Sequence, residues 1–245
     1  VLGSALEAVQ TAFCTALSGA AQQKGECIGI VGLSQPTVSA MTTRATALNS
    51  ERLVLVGPDV YLTGETAAGG GCMAAAALAG VLANETDPAL PLNGVELKGL
   101  GGVTANYDDT ELDGLITGGI TVLETDSGEV QIISGITTRT KTAGAADATY
   151  RELSTMLIID DVSPAIRDSL RAKFTRAKNN KTTRSAIRSQ VVVELEDRLA
   201  REIIDSYDAV TVTPSDQDAS MAVVEFGFAV THGLSRILLT AHISV

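Results

Sequence analysis

The stretch CIGIVGLSQPTVSAMTTRATALNSERLVLVG, residues 27–57, decides the fold. Cys27-Ile28-Gly29-Ile30-Val31 and Arg52-Leu53-Val54-Leu55-Val56-Gly57 are continuous apolar runs of strand length. Ser34-Gln35-Pro36 opens a helix between them that runs to about Leu48. Strand, helix and strand within about thirty residues make a βαβ unit, whose parallel sheet is covered on both faces. On the N-terminal side Leu2, Leu6, Val9, Phe13 and Leu17 recur at steps of three and four ahead of Gly19, which predicts a further helix. On the C-terminal side Glu65 to Asn84, rich in Ala and Gly, predicts a helix packed closely on the sheet and stopped by Asp87-Pro88. Leu90 to Gly119 carries Gly94, Gly99, Gly101, Gly102, Gly114, Gly118 and Gly119 and reads as turns and loop. The domain boundary is expected there, with residues 1–119 an α/β domain.

Residues 120–245 read as α+β, helices with mainly antiparallel strands. Ile120 to Glu124 and Glu129 to Ile133 flank Thr125-Asp126-Ser127-Gly128, a hairpin turn sequence. Tyr150, Leu153, Met156 and Leu157 predict a helix entered from Asp147, and Ser163-Pro164 predicts the cap of a second. A third is expected from about Thr183 to Tyr207, with Ile187, Val191, Leu195, Leu199 and Ile203 on one stripe. Strands follow at Val210 to Thr213, Met221 to Val230 and Ile237 to Val245. In the last, Ile237, Leu239, Ala241, Ile243 and Val245 alternate with Leu238, Thr240, His242 and Ser244. A terminal strand with nothing after it leaves a bare edge, a hazard unless a specific partner adds to it.

Charge is unevenly placed. The chain of 245 residues has net charge −11, but residues 1–140 carry 5 basic and 15 acidic side chains while residues 141–245 carry 13 and 14. Arg167, Arg171, Lys173, Arg176, Lys178, Lys181, Arg184 and Arg188 crowd between Pro164 and Gln190 against the single acid Asp168. Arg167, Arg171 and Lys178 fall at helical steps around Phe174 and are expected on one face. The first six of these cations are the expected partner surface. The overall sign argues against nucleic acid as that partner.

Catalytic signatures are missing from the sequence. It has no GxSxG elbow, and His232 and His242 both fall in strand-like sequence near the C-terminus. Cys72, after Gly69-Gly70-Gly71, reads as a small packing residue, and Cys14, Cys27 and Cys72 form no CxxC pair. Gly29-Ile30-Val31-Gly32-Leu33-Ser34 stands where a phosphate-binding turn would, yet lacks the third glycine of GxGxxG and the ending of a P-loop. Asp108, Asp109, Glu111 and Asp113 do not follow EF-hand spacing and read as a solvated acidic loop, and Asp160-Asp161 reads as a helix end. No catalytic residue, metal, cofactor or membrane partner is expected. The longest apolar run, Cys72 to Ala83, is far short of the roughly 20 residues of a membrane span. No signal peptide opens the chain, and Val rather than Met at position 1 points to a longer gene product.

What stands out is a composition suited to assembly: 3% aromatic residues, no Trp, much Ala, Val, Ile and Thr, and one localised basic ridge. The C-terminal half resembles the contractile tail sheath proteins of bacteriophages and related injection machines. The resemblance is carried by Gly128-Glu129-Val130-Gln131-Ile132-Ile133-Ser134-Gly135-Ile136-Thr137-Thr138-Arg139-Thr140, then Asp147-Ala148-Thr149-Tyr150-Arg151-Glu152-Leu153, a hairpin strand running through a Thr-Thr segment into an Asp/Tyr-led helix. Met73 to Ala83 with Asp87 to Val95 is similar to the family's subtilisin-like central domain. The resemblance implies a structural protomer, not an enzyme. Such protomers stack as hexameric rings around a tail tube and contract to drive it through a cell envelope. They are assembled in the host cytoplasm into the virion tail, with the tube protein, baseplate proteins and copies of themselves as partners. It also implies a C-terminal domain facing the tube and terminal arms that add strands to neighbouring sheets. Against the family's usual pattern, this chain is short, with no evident N-terminal arm and no large insertion. A cytosolic α/β enzyme or ligand-binding domain using the loops after Val31 and Val56, and a static baseplate or virion component, are the other readings the residues allow.

Overall fold

The computed structural model describes residues 1–34 and 37–234. The βαβ expectation holds. Strand β1 (Gly29–Gly32), helix α2 (Val38–Leu48) and strand β2 (Leu53–Gly57) form a parallel pair with its crossover helix, following helix α1 (Glu7–Gln22). Later in the chain β5 (Thr121–Asp126) joins β2 in parallel and β6 (Glu129–Ile132) joins β5 antiparallel, giving a mixed sheet in the order β1-β2-β5-β6. Between β2 and β5 lie β3 (Val60–Leu62), helix α3 (Cys72–Asn84), β4 (Leu100–Val103) and helix α4 (Asp109–Thr117). Val31, Leu53, Leu55 and Val122 point to one face of the sheet, where they pack with Leu17, Met41, Leu48 and Leu115 from three helices. The pleat sends Val54 and Val56 to the other face, and α3 packs on β1 and β2.

The expected boundary after Gly119 is corrected: the chain divides between Ser154 and Thr155, with Asp87–Ala89 going to the second unit. The hairpin β5-β6 belongs to the first sheet because β5 pairs with β2 and the segment after β6 is laced to the same region. Thr138 N–H donates to the Leu53 carbonyl at 2.8 Å, while Thr138 Oγ1 accepts from the Ser50 N–H at 2.9 Å and donates to the Ser50 carbonyl at 3.0 Å. Asn49 ends α2 with φ of 36° and accepts from the N–H groups of Thr140 and Lys141, where the short hairpin of β7 (Lys141–Thr142) and β8 (Ala145–Ala146) begins. The hairpin turn is as expected, with Ser127 and Gly128 both at positive φ.

The glycine-rich stretch 90–119 is more ordered than its composition indicates. It contains β4 and α4, and the acidic cluster is a helix start rather than a loop. Asp108 accepts from the Glu111 N–H at 2.8 Å and Glu111 accepts from the Asp108 N–H at 3.1 Å, a reciprocal cap placed where the helix dipole favours acids.

In the second unit helix α5 (Leu153–Phe174) is continuous through Pro164, which corrects the expected pair of helices and the reading of Asp160-Asp161 as a helix end. A proline costs about 3 kcal/mol inside a helix. Here Ile158, Val162 and Ile166 run past it on one buried stripe, packing with Val191 and Leu195 of helix α6 (Lys181–Ala200) and with Ile203, Ile204 and Val210. Helix α6 stops short of Tyr207 because Glu202 takes a left-handed φ of 59° and Ile204–Tyr207 turns into strand β9. The expected strand 221–230 is two: β11 (Ala222–Glu225) pairs with β10 (Thr211–Pro214), and β12 (Phe228–Val230) pairs with β9.

Gly32 and Gly71 meet backbone to backbone at the start of α3. A Cβ on Gly32 would lie 1.8 Å from the Gly71 carbonyl oxygen, which no side-chain rotation relieves. Gly32→Ala is therefore expected to cost about 3 kcal/mol in urea unfolding. Gly80→Ala, in the interior of α3 with open space around it, should instead stabilise by about 0.5–1 kcal/mol.

Candidate functional site

The basic residues gather where α5 ends and α6 begins. Arg171 and Lys173 occupy the last turn of α5, where cations favour the dipole. The first turn of α6 carries Lys181 and no acid, an arrangement the dipole disfavours; Asn180 relieves it by accepting from the Thr183 N–H at 2.9 Å. Helix α5 ends at Phe174, so Lys178 lies in the connection and does not share a helical face with Arg167 and Arg171, as the spacing had predicted. Arg171, Lys173, Arg176, Lys178 and Lys181 are exposed, and Arg167 is half-buried and engaged within the chain.

The structure brings together a different subset. Lys181, Arg184 and Arg188 recur at steps of three and four along α6 and line an open groove of about 520 Å³ whose opposite wall is Ala209 to Pro214, including all of β10. Among the described residues β10 pairs with β11 alone. Arg184 is held by Asn179, whose Oδ1 accepts at 2.9 Å while its Nδ2 donates to the carbonyls of Ala219 and Met221, tying the β10-β11 connection to the helical turn. This face is not among the sequence expectations; its signal is the helical period of Lys181, Arg184 and Arg188, whereas the approach of β10 has none in the sequence.

Behind this surface a polar relay fixes the two helices. Lys173 Nζ donates to Gln190 Oε1 at 2.5 Å, Gln190 Nε2 to Glu194 Oε1 at 3.0 Å, and Arg198 Nη1 to Glu194 Oε2 at 2.8 Å, while Arg198 Nε reaches Asp161 Oδ2 of α5 at 3.3 Å. Arg198 is 8% exposed and sits on the buried stripe of α6. The Glu194–Arg198 spacing is visible in the sequence as a helical ion pair, but the burial of Arg198 is not.

The expected strand-exchange residues Ile237, Leu239, Ala241, Ile243 and Val245 lie outside the described residues, as does His242. Cys72 opens α3 and its thiol donates to the Gly70 carbonyl at 3.8 Å. Among the described residues no three His, Cys, Asp or Glu side chains stand where they could hold a metal ion, and no helix is long and apolar enough to cross a membrane.

The family model for the phage tail sheath protein central domain matches residues 2–138, and that for the phage tail sheath C-terminal domain matches residues 145–244. The chain belongs to the phage tail sheath family. It is 30% identical over 205 residues to the tail sheath protein of Bacillus phage SP01, a match that takes in 81% of this chain and 34% of that protein. The fold is shared with the sheath tail protein of Desulfitobacterium hafniense, at TM-score 0.67 and 13% identity over 94% of this chain and 55% of that one. It is shared too with the contracted helical sheath of the anti-feeding prophage, at TM-score 0.72 and 16% identity over 96% and 66%. This sheath-family chain thus spans about a third of the length of the curated relative it matches.

Arg198→Leu removes the cation shared by Asp161 and Glu194 and is expected to cost about 3 kcal/mol in denaturant unfolding, as breaking a buried ion pair does. Arg201→Leu, whose exposed partner Asp197 is 3.9 Å away, should cost less than about 0.5 kcal/mol.

Proposed function

We propose that this chain is a structural protomer of a contractile tail sheath. It polymerises with copies of itself as stacked hexameric rings around a tail tube and contracts to drive the tube through the target envelope. One observation carries the reading: the central-domain and C-terminal-domain matches follow each other along a chain that divides into two compact units. The partners are other copies, the tail tube protein and baseplate proteins, and the place is the virion tail, assembled in the host cytoplasm. The role is mechanical and needs no catalytic residue, metal or cofactor.

In this reading the second unit faces the tube, and the basic face is the contact. Among the described residues Arg171, Arg176, Lys178, Lys181 and Arg188 pair with no carboxylate of their own chain, which leaves their charge available to an anionic surface on the tube or on an adjacent protomer. Exposed contacts of this kind steer and set register, and they weaken as the screening length falls from about 10 Å at 0.1 M salt to about 3 Å at 1 M. A sheath that slides and re-forms its contacts needs that weakness, together with hydrogen-bonded strand exchange that holds while domains rotate. Residues 237–245 are the proposed exchanged strand.

Reversing Arg171, Arg176 and Lys178 to Glu is expected to leave a folded chain that no longer assembles around tubes at low salt, read by negative-stain microscopy of the full gene product co-expressed with its tube protein. Normal tube-filled cylinders from that variant would reduce the basic face to a solvated surface. Deleting Ala241 to Val245 should likewise abolish cylinders while circular dichroism stays unchanged; cylinders of full length would remove the C-terminal strand from the connection.

A further inference from the structure

Ser34, just after β1, and Thr37, just before α2, have no part in the sheath reading and line a cavity of about 380 Å³ in the first unit. Its wall includes Arg44, Gln10 and the hydroxyl-bearing residues Ser34, Thr37, Ser39 and Thr43. Arg44 is 8% exposed and Gln10 fully buried. The guanidinium is held rigidly by neutral acceptors alone. Nε donates to Gln10 Oε1 at 2.9 Å, and Nη2 donates to the Glu7 carbonyl at 2.6 Å and to Thr11 Oγ1 at 3.1 Å, while Gln10 Nε2 donates to the Gly32 carbonyl at 3.2 Å. Among the described residues no carboxylate forms an ion pair with Arg44, and its Nη1 has no partner. A cation this deeply buried is costly unless an anion compensates it.

A second feature converges on the same cavity. Helix α2 has no side-chain cap: Thr37 makes no capping bond, and among the described residues the first bond of the helix is from the Met41 N–H to the Thr37 carbonyl. The N–H groups of Val38, Ser39 and Ala40 are thus without partners among the described residues, at the end of an 11-residue helix that carries partial positive charge. Glu7, exposed, is the carboxylate that lines the cavity.

We propose that this cavity binds a small oxyanion, phosphate or carboxylate, with the free edge of Arg44 as its countercharge and the hydroxyls and N–H groups at the start of α2 as its donors. Glu7 sets the affinity by opposing the incoming charge.

The test is titration calorimetry of the full chain with inorganic phosphate, and in parallel with acetate, against sodium chloride at matched ionic strength. Saturable one-site binding of either oxyanion is expected where chloride gives none; phosphate binding alone assigns a tetrahedral ligand and acetate binding alone a carboxylate. Arg44→Gln should weaken binding by about tenfold or more, and Glu7→Gln, which keeps the backbone carbonyl that holds Arg44, should tighten it several-fold. Equal heats for phosphate, acetate and chloride overturn the proposal, as does unchanged affinity in Glu7→Gln, the variant that decides if Arg44→Gln fails to fold.

Discussion

Complete burial of β2 is the constraint on which the first unit rests. Leu53, Val54, Leu55 and Val56 have no exposed surface, so both faces of the strand must be covered and both of its edges hydrogen-bonded. The faces are met by α2 and α3, the edges by β1 and β5. At its start the Leu53 carbonyl accepts from the N–H of Thr138, eighty-odd residues away, so the chain passes the β5-β6 hairpin and returns to β2 before the second unit begins. The Thr-Thr segment that carries the family resemblance is thus a closing latch of the first unit.

The second unit is organised around a different problem, how to hold many cations together. Helix α5 carries its basic residues in a final turn that welcomes them, whereas α6 carries Lys181 in a first turn that does not, at a cost of about 0.3–1 kcal/mol. The apolar stripe shared by α5 and α6, the Arg198 relay and the Asn180 cap offset that cost. The basic face is consequently a rigid feature. Its groove adds to it the backbone of a strand that pairs on one side only among the described residues.

Rigid units with soft, charged exteriors suit the proposed mechanical role. A polymer multiplies small differences per subunit, so individual contacts can be weak and salt-sensitive while the strand connections keep the order of the array. The buried Arg44 belongs to the opposite regime. Its charge is largely buried at the wall of a cavity and is answered inside the fold by neutral groups.

The sequence by itself determined what depends on near neighbours: the βαβ start, the Ser127-Gly128 hairpin, the α/β then α+β order and the basic residues on one short stretch. Apolar period and turn chemistry act over a few residues, and they are readable wherever burial agrees with them. Tertiary structure decided where burial or pairing overrode local preference. Pro164 reads as a helix start, yet the stripe from Ile158 to Ile166 gains more by continuing than the proline costs. The acidic run at Asp108 reads as a loop until β5 needs a covering helix before it. The cations of residues 167–181 are neighbours in the chain, whereas Lys181, Arg184 and Arg188 line a groove because β10 packs against α6. Arg198 and Arg44 look like ordinary surface cations. Only long-range packing, which fixes what lies within a few ångströms of a side chain, made them buried.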